Sequence, residues 1–328
     1  MKKSLLALAV LGLSGAAMAQ SAVTLYGVAD GGYGRVKYGC ATGPACKGQF
    51  IGAGLMNNGD SRVGVRGTED MGGGLQAGFN FETGLSLDDG STRGGGLSTG
   101  FWQRQANMWV GGQQWGKISL GRQFTPSYLA NSMYELTGMA NYTVVGNTYK
   151  FLGVTDRRAP SAFAYVSPTF AGVTAALAYV SRNDLPLPSK KDVWDGAVLY
   201  SGGPVSAGLG VNKLGRSKTN FQLGGKYAMD IGNGVGFAVA GSYTQASLPD
   251  SKAVRRGFGI GGSVSAYGFT GTVDLTRDTK NKWDVASKKY TNGLAEVKYA
   301  LSKRTSVYGA YLRLDKTNNW GIGVHHNF

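Results

Sequence analysis

The chain has 328 residues, 42% of them hydrophobic, with 54 glycines against 8 prolines and a net charge of +15. No stretch beyond the N-terminal segment approaches roughly 18 unbroken apolar residues, which excludes a helical membrane protein, and no basic run with interleaved aromatics points to nucleic acid. A basic excess of this size suits anionic headgroups or anionic solutes instead.

The N-terminal "MKKSLLALAVLGLSGAAMA" has a basic start in Lys2 and Lys3, an apolar stretch from Leu5 to Leu13 and small residues at Ala17 and Ala19. It predicts a secretory signal over 1–19, cleaved after Ala19, so the mature chain 20–328 works outside the cytoplasm. From Val23 a two-residue period sets in: Val23, Leu25, Gly27 and Ala29 alternate with Thr24, Tyr26, Val28 and Asp30. That is a strand with one apolar and one polar face. Cys40 and Cys46, the only cysteines, lie six apart between Gly and Pro, which in an oxidising compartment predicts a small disulfide loop.

Further along, Val63, Val65 and Gly67 take the apolar side, turning Arg62, Gly64, Arg66 and Thr68 to the other; Glu82 shares the polar side with Asn80. Alternation from Ala106, Met108 and Val110 turns Arg104 outward, and Ile118 and Leu120 do the same to Arg122, unless a bulge at the strand end reverses either residue. Residues 124–156 form the longest connection, rich in Tyr, Met and Leu, with Glu135 its only carboxylate before 156. Arg158 points inward, since Phe163 and Tyr165 take the apolar side. The final strand carries Trp320, Ile322, Val324, His326 and Phe328 on one side and stops there without a polar tail.

About sixteen such segments are legible, starting near residues 22, 59, 74, 102, 116, 158, 171, 192, 204, 219, 234, 254, 268, 287, 304 and 319. Short connections alternate with longer ones, which puts the long loops on one end of the sheet. The pattern predicts an all-β fold, a sixteen-stranded antiparallel transmembrane β-barrel, in which the last strand pairs with the first so that no edge is free. Phe328 then sits in an aromatic girdle at the rim.

Several stretches resemble the trimeric general porins of Gram-negative bacteria, above all those of beta-proteobacteria: "VTLYGVADGG", "SRVGVRGTEDMGGGLQAGFNFE", "RQANMWVG", "GKISLGRQFTP", "SPTFAGV" and the terminal "HHNF". The resemblance covers essentially the whole mature chain. It implies a homotrimer in outer-membrane lipid and lipopolysaccharide that passes small hydrophilic or anionic solutes by passive diffusion, with the third loop, about 124–156, folded into the lumen. It places arginines equivalent to Arg62, Arg122 and Arg158 on the wall opposite that loop and acidic residues on the loop facing them. With Arg66 from parity and Glu135 as the loop's carboxylate, the expected constriction is positive; Asp30 and Glu82 on the wall neutralise part of the excess, and the direction of Arg104 stays open. Ala164 departs from the pattern, since related porins often carry a basic residue there. No metal or cofactor is expected. An enzyme is disfavoured because the only histidines, His325 and His326, accompany no Ser-centred motif. The alternative is a structural or adhesive barrel without an open pore.

Overall fold

The computed structural model describes residues 22–38, 46–93, 100–153, 157–184 and 191–328. The predicted signal segment and Cys40 lie outside these residues; Cys46 lies within them and takes part in a disulfide. In chain order the strands are β1 (Ala22–Arg35), β2 (Gln49–Ile51), β3 (Arg62–Asp70), β4 (Leu75–Leu85), β5 (Thr92–Arg93), β6 (Gln105–Gly112), β7 (Gly116–Phe124), β8 (Arg158–Val166), β9 (Val173–Val180), β10 (Val193–Gly202), β11 (Val205–Lys213), β12 (Asn220–Asp230), β13 (Val235–Ser247), β14 (Val254–Ala266), β15 (Phe269–Asn281), β16 (Thr291–Ala300), β17 (Thr305–Leu314) and β18 (Thr317–Asn327).

Sixteen of these form the wall; β2 and β5 are short pieces that pair with the ends of β1 and β4. Every wall strand pairs antiparallel with its sequence neighbours, and β18 pairs with β1 from Asn327 opposite Val28 to Trp320 opposite Arg35. The sheet therefore closes on itself. The last residue takes part: Phe328 N–H donates to the Gly27 carbonyl at 3.1 Å, and Gly27 N–H to the Phe328 carbonyl at 3.0 Å. β1 outruns β3, and β2 pairs with Gly32, Tyr33 and Gly34 beyond the point where β3 stops. Closure matters because a free edge would leave backbone groups without partners.

The alternation read from the sequence sorts the two faces. On β15, Val273 and Leu275 are exposed on the outside while Thr272, Asp274 and Thr276 are buried inside. Seven connections at one end have two to six residues, such as 203–204 and 267–268, and those at the other end have six or more with one exception. That exception joins β17 to β18 through Asp315 and Lys316, both at positive φ (46° and 74°), the paired left-handed geometry that suits a two-residue hairpin. Several strands also begin later than expected, β3 at Arg62 and β16 at Thr291, because the residues before them fold as loop ends.

The connection from β7 to β8 carries two helices, α1 (Pro126–Tyr134) and α2 (Val144–Thr148), then a turn over Lys150–Gly153 in which Lys150, Phe151 and Leu152 have positive φ. Thr125 caps α1 by accepting from Tyr128 N–H at 3.3 Å, and Pro126 opens it where no donor is needed. The helix lies on the inner faces of β10, β11 and β12. Two wall glycines make room: a Cβ at Gly208 would lie 2.1 Å from the Ala130 carbonyl oxygen, and one at Gly224 would lie 2.4 Å from the Tyr134 ring. The apolar core therefore sits inside the barrel. Tyr134, Ala140, Tyr142, Val144, Val145 and Tyr149 of the loop pack with Met56 and with Leu294, Tyr308, Ala310, Leu312 and Leu314 of β16 and β17. β17 is consequently apolar on both faces, a departure from the polar inner face expected of a water-filled bore.

Candidate pore constriction

The loop occupies the β10–β17 side of the bore and leaves the β3–β8 side facing it. Polar contacts hold it there. Asp195 of β10 accepts from both the backbone N–H and the hydroxyl of Ser127, each at 2.6 Å, and Gln222 of β12 accepts from Tyr134 Oη at 3.0 Å and Asn131 Nδ2 at 3.3 Å. Farther along, Thr148 is linked to Thr276 and Asn292 at 2.9 Å each, and Asn220 Nδ2 donates to the Leu152 carbonyl at 3.0 Å.

Between the loop and the opposite wall lies a cavity of about 260 Å³. Arg62, Glu82, Arg104 and Arg158 line it from the wall side, Asn141, Arg157, Phe124 and Tyr128 from the loop side, and Asp60 from the end of the first long loop. Glu82 is the hub on the wall. Its Oε1 accepts from Arg104 Nε at 2.6 Å and lies 3.7 Å from Arg158 Nη2; its Oε2 lies 3.5 Å from Arg62 Nε and accepts from Tyr26 Oη at 3.0 Å. Asp60 is the hub beside it, accepting from Arg104 Nη1 and from Asn141 Nδ2, each at 2.7 Å. Asn141 Oδ1 in turn accepts from Arg157 Nη1 at 3.1 Å. One continuous polar chain thus runs from loop to wall. Burial pushes the Asp60 carboxyl up, but Arg104, Arg157 and the Asn141 amide outweigh it and bring it down to about 2.

The predicted residues distribute unevenly. Arg62 and Arg158 both reach the cavity; Arg62 is the more open, its side chain 27% exposed against 4% for Arg158, whose guanidinium lies 4.1 Å from the centre of the Phe124 ring. Arg104, which alternation alone turns outward, points inward instead, at a position preceding β6 where strand alternation does not apply. Arg122 is buried and its Nε donates to the Gln103 carbonyl, next to a register shift between Gly121 and Gln123, but it is not among the residues lining the cavity. Arg66 lies one step farther along β3, exposed, its guanidinium 5.2 Å from the Tyr26 ring centre.

Glu135 does not face the arginines. Its carboxylate accepts from Thr137 N–H at 2.8 Å, Thr137 Oγ1 at 2.5 Å and Met139 N–H at 2.7 Å, so it closes a turn of its own loop, and its carbonyl takes Lys226 Nζ at 3.3 Å. The expectation of a loop carboxylate opposing the ladder fails because that carboxylate satisfies backbone donors next to it. Asp30 is likewise occupied: Tyr308 Oη donates at 2.7 Å, Asn57 Nδ2 at 3.0 Å and Gly59 N–H at 2.9 Å, and His325 Nδ1 lies 2.8 Å away. Asp60 and Arg157 were missed by sequence reasoning. The doublet "RR" at 157–158 is a signal for the second; Asp60, on an external loop segment, offered none.

Residues 4–327 match the family model described as Gram-negative porin. The chain is 32% identical over 339 aligned positions to the outer membrane porin protein 32 of Delftia acidovorans, covering 98% of this chain and 92% of that one. It is 27% identical to a major outer membrane protein P.IB of Neisseria meningitidis serogroup B, over the whole of both chains. Among solved structures it resembles an anion-selective porin from Comamonas acidovorans, with a TM-score of 0.70 and 23% identity over 94% of this chain and 100% of that one. It also resembles a trimer form of OmpT of Vibrio cholerae, with a TM-score of 0.64 and 16% identity over 94% and 99%.

Proposed function

The chain belongs to the Gram-negative porin family, and on that premise we propose that its bore is narrowed by the loop of residues 124–156 against Arg62, Arg104 and Arg158 and passes small hydrophilic solutes with a preference for anions. It is an outer-membrane porin, a passive channel rather than an enzyme. The observation that carries the anion preference is the charge around one cavity: the guanidinium groups of Arg62, Arg104, Arg157 and Arg158 against the carboxylates of Asp60 and Glu82. Rings of fixed charge at the narrowest point set the ion preference of a channel. Arginine suits the role because it stays charged at any relevant pH and its fork pairs with carboxylate and phosphate oxygens. The anion selectivity of the Comamonas porin, which has the same fold, lends support.

The working unit is a homotrimer embedded in outer-membrane lipid and lipopolysaccharide, a reading favoured by the trimer form of a porin with the same fold. The test is a planar-bilayer recording in a salt gradient. Open channels with a reversal potential on the chloride side are expected. A reversal potential on the potassium side overturns the anion reading, and a purified, folded barrel that conducts no current overturns the channel itself.

A further inference from the structure

A second cavity of about 260 Å³ lies beyond the first toward the short connections, and the two meet at Phe124, which lines both. Its polar wall comes from β4, β6 and β7. Asn80 and Asn107 stand directly opposite each other in the register, one step from the Glu82 hub, and Trp109 takes the next inner position on β6. Gly78, opposite Trp109 on β4, lets that indole lie flat on the wall, since a Cβ there would come within 2.6 Å of the ring. Lys117 of β7 reaches over the same ring, its Nζ 5.6 Å from the centre. The apolar wall stands where the inserted loop begins, with Phe124 and Leu129 both half-buried.

Each asparagine has half of its amide tied down. Asn80 Oδ1 accepts from Tyr26 Oη at 2.8 Å, and Asn107 Nδ2 donates to the Arg122 carbonyl at 3.0 Å. The groups left over are complementary, the Nδ2 donor of Asn80 and the Oδ1 acceptor of Asn107, and among the described residues neither has a protein partner. A hydroxyl both accepts and donates, so one hydroxyl satisfies such a pair. Lys117 likewise enters no hydrogen bond or ion pair among the described residues. Successive inner positions on a strand are about 7 Å apart, so the ammonium over Trp109 stands about that far from the asparagine pair. Among the described residues no carboxylate lines this cavity.

We propose that this cavity is a solute subsite for polyhydroxylated carboxylates, the sugar-acid class. Lys117 takes the carboxylate, Asn80 and Asn107 together take a hydroxyl, and Leu129 with Phe124 covers the C–H face of the carbon chain. A few placed polar groups on an otherwise apolar concavity are what orients a small ligand. A chloride ion uses only the first contact and a neutral sugar only the other two, so the subsite selects among the anions that the arginines admit. The inference deepens the reading of the bore given above and rests on its being open to small hydrophilic solutes.

The test is a single-channel recording in potassium chloride with D-gluconate, acetate or D-glucose added, read as the duration of current interruptions. In wild type gluconate should interrupt the current longest. Lys117→Gln should shorten its stay about tenfold and Asn80→Leu about fivefold, because each removes one hydrogen-bonding partner of the solute. Tyr26 Oη keeps its bond to Glu82 in the second variant. Lys303→Gln, in a short connection away from the cavity, should leave the stay unchanged. Saturation-transfer NMR on the detergent-solubilised protein reads the same ranking of solutes without current, and heat-modifiable migration on a gel shows that each variant has folded. Acetate or glucose dwelling as long as gluconate, gluconate dwelling undiminished in either variant, or an equal effect of Lys303→Gln overturns the subsite. In a channel whose reversal potential lies on the chloride side, any of these results leaves the anion reading standing. A barrel that conducts no current overturns the wider reading, and the NMR ranking then decides the subsite by itself.

Discussion

At the scale of single residues, the proposed constriction is a set of guanidinium groups only partly neutralised by two carboxylates. Replacing Arg62 and Arg158 together by Ser should move the reversal potential toward the cation side. Each lost charge contributes about 0.5 to 1 kcal/mol at some 8 Å in a wet pore, a change of about two- to fivefold in ion preference. Asp60→Asn should move it the opposite way. Glu135→Gln, which removes the carboxylate the sequence singled out, should barely move it, because that group closes a turn away from the arginines. Asp60 also carries a pH expectation. Its carboxyl is depressed to about 2, so the stability it lends is complete above the ordinary carboxylate range near 4 and is lost as pH falls through about 2. The difference between wild type and Asp60→Asn should therefore persist from pH 7 down to about pH 4; a reversal-potential series in which it has vanished by about pH 5 contradicts the assignment. Cys40 and Cys46 are expected to share a disulfide, and free thiols at both positions in unreduced mass spectra would refute it.

At the scale of elements, the loop holds its place through two different kinds of contact. α1 is tied by hydrogen bonds to Asp195 and Gln222, whereas α2 and the residues around it bury apolar side chains against β16 and β17. Tyr142 joins both, packing 6.0 Å from the Tyr308 ring and accepting from Asn58 Nδ2 at 2.9 Å. Tyr142→Ala should cost the docked loop about 3–5 kcal/mol, and Tyr142→Phe only about 1 kcal/mol. In single-channel records the first should give larger and noisier openings, while the second should resemble wild type. Identical records from all three proteins would show that the loop does not narrow the conducting path.

At the scale of the whole molecule, closure and assembly decide whether there is a pore at all. The seam between β1 and β18 ends on reciprocal hydrogen bonds between Gly27 and Phe328, so the terminal residue is part of the wall. Oligomer formation then depends on the exposed outer face of the barrel. The detergent-solubilised protein is expected at a native mass of three chains plus detergent, and a mass of one chain plus detergent excludes the homotrimer under those conditions.

The two-residue period by itself determined the wall and the pairing of the last strand with the first, and it puts Arg62 and Arg66 on the inner face; Arg158 lies past Ser161, at positive φ (45°), and past the register shift that pairs Gly121 with Ala162 but Gln123 with Ala159. Side-chain direction along a strand is a local property of the extended backbone, and lipid on one side with water on the other writes it into every segment. Where the backbone leaves that geometry, the period carries no information. Arg104 stands before its strand begins, Arg122 sits at a register shift, and β17 hides an apolar inner face beneath the loop. Only the tertiary structure decided which carboxylates meet the arginines. Asp60 and Asn141 are 81 residues apart, brought together because the loop's tyrosines and valines bury themselves against β16 and β17. The same packing leaves Glu135 among its own backbone donors. Such contacts join segments distant along the chain, and no local pattern records them.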